Sequence, residues 1–70
     1  MKVHSFDDAT ASVEFTHEEI LIVNNALNEV CNGIHLAGEF DTRMGCSVEE
    51  ARKILRAIHV LGSDMKSQVR

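Results

Sequence analysis

Asn24, Asn28 and Asn32 recur at every fourth position of this chain, with Asn25 beside them. On a helix that spacing sets side-chain amides along one side, each offering two donors and an acceptor oxygen. Asparagine is a mediocre helix former because its amide competes for backbone hydrogen bonds, so a helix carrying four of them calls for a reason. The row can clamp the backbone of a neighbouring segment or present donors and acceptors to a partner. Glu29 stands beside it and is a general base in principle. The pattern supplies neither a nucleophile nor a second titrating group to work with it, so no catalytic residue is assigned. Asn24, Asn28, Asn32 and Glu29 are read as partner-binding.

Arg43 is the other candidate. In Phe40-Asp41-Thr42-Arg43-Met44-Gly45 it follows a turn-forming Asp-Thr pair and precedes a glycine. Its guanidinium can bridge to a helix carboxylate such as Glu29 or anchor a partner's carboxylate or phosphate. Cys31, His35, Cys46 and His59 hold the donor atoms a metal would need. Their spacing repeats no close zinc-ligand pair, and Cys31 falls on an apolar stripe where a thiol behaves as a small hydrophobe. Neither a metal nor a cofactor is implied.

The elements that position these residues begin at two matching signals. Thr16-His17-Glu18-Glu19 and Ser47-Val48-Glu49-Glu50 each place a hydroxyl three residues before a glutamate, the reciprocal arrangement of a capping box. Each opens an amphipathic run that reaches a glycine, Gly33 or Gly62, the residue best suited to the left-handed turn after a helix. The spacing predicts a helix over about residues 17–32 with Ile20, Val23, Leu27, Val30 and Cys31 on its buried arc. It predicts a second over about 48–61 that buries Val48, Ala51, Ile54, Leu55, Ile58 and Leu61. Arg52, Lys53, Arg56 and His59 fall on the far side of the second helix and read as a solvated face paired with nearby glutamates.

Residues 11–15 alternate apolar and polar and read as a short strand. Residues 1–10 read as a flexible N-terminal segment and 63–70 as a flexible C-terminal tail. Between Gly33 and Cys46 the linker carries Ile34, Leu36 and Phe40, placed to lie partly extended on the helices, and Gly45 is expected at a positive φ. The fold class is mainly α: helix–linker–helix with a short N-terminal strand, one helical domain over residues 11–62.

Seventy residues bury too little surface for a robust core without help from a metal, a disulfide or a partner. Helix 1 also carries Leu21 and Ile22 outside its core stripe. Those two are read as self-association contacts, and the expected assembly is a homodimer with a shared helical core. A net charge of −4 with pI near 5.4 opposes a nucleic-acid partner and suits a basic protein partner. The longest apolar run, Ile20-Leu21-Ile22-Val23, is too short to cross a membrane. The first residues lack the apolar core of a signal peptide, and two cysteines make no disulfide framework. A cytoplasmic location is expected.

The run Asn24-Asn25-Ala26-Leu27-Asn28-Glu29-Val30-Cys31-Asn32-Gly33-Ile34, then Phe40-Asp41-Thr42-Arg43-Met44-Gly45 and a second Ser-x-Glu-Glu helix, resembles a family of small uncharacterised bacterial proteins. In those, a similar asparagine-rich helix precedes an F-x-T-R-x-G-like linker. The resemblance covers about residues 15–61, implies no activity, and draws attention to the same two segments. The functional expectation is a noncatalytic protein-interaction module, including an inhibitor of immunity or antitoxin type. The competing expectation is a small enzyme or ligand-binding protein with its site at the dimer interface, using Glu29, Asp41 or Arg43.

Overall fold

A computed structural model of the chain describes residues 1–33 and 39–68. In order, the elements are β1 (Lys2–Phe6), β2 (Ala11–Glu14), α1 (His17–Asn28), a π-helical turn (Glu29–Gly33), α2 (Phe40–Met44) and α3 (Val48–Ser67). The protein is mainly helical, with a two-stranded antiparallel sheet at its N-terminus.

Both capping boxes form. Thr16 Oγ1 accepts from the Glu19 N–H at 3.1 Å, and Glu19 Oε1 accepts from the Thr16 N–H at 2.9 Å. At α3, Ser47 and Glu50 make the same exchange, both bonds at 3.1 Å. The Glu19 carboxylate also takes the N-terminal ammonium of Met1, tying the start of the chain to the start of α1. Glu19 is held below the usual glutamate range by that ammonium first and by the Thr16 N–H second. Glu50 is lowered by the Ser47 backbone N–H and then by its hydroxyl.

The first residues are a strand rather than a flexible segment. Lys2 pairs with Glu14, Val3 with Val13, Ser5 with Ser12 and Phe6 with Ala11, and the register shifts between Val3 and Ser5. That shift is a bulge at His4. Residues 3 and 6 of a regular strand face opposite ways. The bulge brings Val3 and Phe6 onto one face, and the hydrophobic alternation is lost from the sequence. The turn is closed by Asp7, whose Oδ1 accepts from the Ala9 and Thr10 N–H groups, each at 2.8 Å. The Thr10 and Ala9 N–H groups, in that order, hold the Asp7 carboxyl below its ordinary range.

The first helix departs from regular α geometry after Asn28 and widens into the π-helical turn. Gly33 closes that turn without a positive φ, since Gly45 (φ 72°) holds the positive-φ glycine conformation among the described residues. A Cβ at Gly33 would meet only the end of the exposed Glu29 side chain, which can swing aside. Gly45 takes the expected positive φ and ends α2, its N–H donating to the Asp41 carbonyl at 2.9 Å. The short helix α2 replaces the expected extended second half of the linker. The expected packing of Ile34 and Leu36 lies outside the described residues.

Gly62 does not end the second helix, which runs on through Ser67 and so takes in most of the expected tail. The glycine is spent on close approach instead: a Cβ there would sit 3.3 Å from Ile20 Cγ2. Helices α1 and α3 are antiparallel, with His17 and Ile20 beside Gly62 and Lys66, and Asn28 beside Leu55 and Arg56. The fully buried apolar side chains are Ile20 and Ala51, each 2 % exposed. Val23, Leu27, Val30 and Cys31 are half-buried along the seam, as are Leu55, Ile58 and Met65. Ile54 and Leu61, expected inside, are exposed. The seam on α3 centres on Ala51, Ile58 and Gly62, where α1 comes closest, and Ile54 and Leu61 fall on its flank.

Candidate groove between helices α1 and α3

Residues at helical offsets of 0, 4, 7 and 11 share a face. On α1 that set is His17, Leu21, Asn24 and Asn28; on α3 it is Leu55, His59, Gly62 and Lys66. The antiparallel pairing brings the two sets together as the walls of a groove. One hollow of about 500 Å³ is lined by Leu21, Asn24, His59 and Lys66 above a floor of Ile20 and Ile58. A second, about 430 Å³, continues it along Asn28, Leu55 and Arg56 and shares Asn24 and His59 with the first.

The groove has an apolar floor and a cationic wall. Arg56 and Lys66 supply its charge with His59 beside them, and among the described residues no carboxylate lines it. His17 Nε2 and Asn24 Oδ1 are both buried without a hydrogen-bond partner. A buried polar atom left unpaired costs on the order of 1–3 kcal/mol, and both belong to residues that line the first hollow. Such a site suits a molecule or segment with an apolar body and a negative group. Among the described residues, no nucleophile–base pair in contact lines it.

The asparagine row divides. Asn24 and Asn28 line the groove. Asn32 is exposed and donates to Asn28 Oδ1 at 3.1 Å, which orients the Asn28 amide. Glu29 turns away toward Gly33. Arg43 pairs at 3.7 Å with Glu39, the residue that precedes α2, exposed on both sides, and does not make the bridge to Glu29 that was one of its two expected roles. Leu21 is a groove residue, while Ile22, about 100° further round the helix, is 67 % exposed away from it. The sequence reading missed His17, Arg56, His59 and Lys66 as groove residues. The matching offsets on the two helices were the available signal, and an every-fourth-residue reading of the asparagines concealed it.

Cys31 and Cys46 are free and half-buried. Among the described residues no three His, Cys, Asp or Glu side chains gather as a metal site; His35 lies outside them. No helix of the described residues is long and apolar enough to cross a membrane. Comparison of the chain with protein-family models, with curated proteins and with solved structures gives no match.

Proposed function

We propose that this chain is a noncatalytic protein-interaction module that works as a homodimer. The observation that carries the reading is its surface. A compact monomer of 7.8 kDa should expose ~4,400 Å² by the scaling of folded monomers, and this chain exposes 5664 Å². The excess, ~1,300 Å² per chain, is of the order that each copy buries in an obligate homodimer. Light scattering on the eluting protein at micromolar concentration is expected to return twice the chain mass. A monomer mass across that range would sink the reading.

Within this class the net charge of −4 suits an inhibitor of immunity or antitoxin type that covers a basic partner with its acidic outer surface. The groove itself is cationic and is suited to an acidic element.

A second reading, binding of a small ligand, is favoured by the hollow's apolar floor of Ile20 and Ile58 with Lys66 and His59 at its wall. The ligand would be a carboxylate with an apolar tail, its head toward His59 and Lys66 and its tail over Ile20 and Ile58, and it leaves the acceptor Asn24 Oδ1 to a separate donor. Titrating hexanoate into isotope-labelled protein should shift the Asn24 side-chain amide and the His17 and His59 ring signals together. Unmoved signals at millimolar hexanoate would remove this reading and leave the interaction module in place.

A further inference from the structure

Resting on the homodimer reading, we propose that the dimer is built by exchange of the N-terminal hairpins, each laid on the α3 flank of the second copy. Paired residues of a sheet share a face, so Val3, Val13, Phe6 and Ala11 form one continuous apolar face of the hairpin. The described chain leaves it open mainly at its outer end: Phe6 is 78 % exposed, Val3 52 % and Val13 36 %. The His4 bulge assembles that face, and bulges re-aim side chains for a purpose. The hairpin is fastened at its base, by the Met1 ammonium on Glu19 and by the direct passage from β2 into α1. Its turn, Asp7 to Thr10, is at the far end. It is an arm.

The helices offer a matching seat. The groove residues lie to one side of the α1–α3 seam; at 100° per residue, Ile54, Ala57 and Leu61 lie to the other side of α3. Across the seam from them are Val23 and Ala26 of α1 and Val30 of the π-helical turn. Ile54 and Leu61 are 55 % and 45 % exposed, and none of these six residues lines the groove. The stripe from Ile54 to Leu61 spans ~10 Å at the helical rise, and Val3 to Phe6 spans about the same along a strand. The Cα envelope, 42 × 32 × 15 Å, is one layer thick, while a stable domain needs two layers about a shared core. A second copy supplies the missing layer.

Area decides between the two ways the hairpins can be covered. Stacking hairpin on hairpin would bury roughly 400 Å² per chain, a phenylalanine and three smaller side chains at typical areas. That leaves the α3 flank open and most of the ~1,300 Å² excess derived from the monomer scaling unused. Exchange covers both apolar faces of both chains in one two-fold interface, and it leaves the cationic grooves on the outer sides of the assembly.

The test uses dimers mixed from isotope-labelled and unlabelled wild-type chains, in which only contacts between copies are observed. Exchange predicts intermolecular proximity of the Phe6 ring to the Ile54 and Leu61 methyls. Substitution Phe6→Ser, at a side chain its own protomer does not bury, should weaken the dimer roughly 10- to 100-fold, as expected for an interface anchor. A dimer whose intermolecular contacts run from Phe6 to Phe6 or from Val3 to Val13 overturns the exchange and leaves the homodimer standing. So does a Phe6→Ser dimer as tight as wild type. A monomeric wild-type protein overturns both.

Discussion

Ile20→Ala is expected to destroy cooperative unfolding of this protein, removing 2–5 kcal/mol, the range seen when a buried isoleucine is cut to alanine. Among the described residues Ile20 is the one large side chain that is fully buried, at 2 % exposure. It lies one turn past the Thr16 cap and meets α3 at Gly62, so it joins the start of one helix to the last third of the other. A domain of this size has ~3–5 kcal/mol of stability from its core, and the loss is comparable with the whole. Ile20→Val, which deletes a single methylene, should cost only ~1 kcal/mol. Circular dichroism melts at one fixed protein concentration give the comparison, because association shifts apparent stability by mass action. The expectation is a sigmoidal wild-type melt, a modestly lowered Ile20→Val midpoint and a featureless slope for Ile20→Ala. An Ile20→Ala midpoint within a few degrees of wild type would show that the seam between α1 and α3 is not the core.

The helix starts were legible because capping is local chemistry: Thr16 with Glu19 and Ser47 with Glu50 complete their bonds within four residues. The strand over Ala11–Glu14 was legible from its alternation. What escaped depends on distant partners or broken periods. Strand β1 was hidden because the His4 bulge interrupts its period of two. Gly62 was read as a stop because glycine usually follows a helix, whereas here it admits Ile20 from another element. Ile54 and Leu61 were read as buried because a helix period identifies an apolar arc without saying which part of it a single neighbour can cover. Asn24 and Asn28 were singled out from the sequence, but His59 and Lys66, which face them across the groove, belong to a pairing of helices that neither helix encodes alone. The same exposure of Ile54 and Leu61 that defeats the arc reading is what the hairpin exchange accounts for.

Gly62 gives the sharpest test of how the two helices meet. Gly62→Ala sets two effects of similar size against each other: a gain of ~1 kcal/mol in helix propensity, and a methyl placed 3.3 Å from Ile20 Cγ2. Its midpoint should lie close to wild type. Gly62→Leu keeps the propensity gain but drives a branched side chain into the space Ile20 fills, and should destabilise by ~1–3 kcal/mol through overpacking. The two sites are in contact, so their effects should not add. In Ile20→Ala/Gly62→Leu the new leucine occupies the volume the isoleucine vacated, and the double variant should be more stable than the sum of the single changes by ~0.5–3 kcal/mol. Denaturant titrations of the four proteins at one concentration measure that coupling, with Ile20→Val in place of Ile20→Ala if the latter has no folded baseline. Additivity within ~0.5 kcal/mol would mean that residues 20 and 62 do not share a packing site. The antiparallel seam, and with it the groove on one side and the apolar flank on the other, would then have to be redrawn.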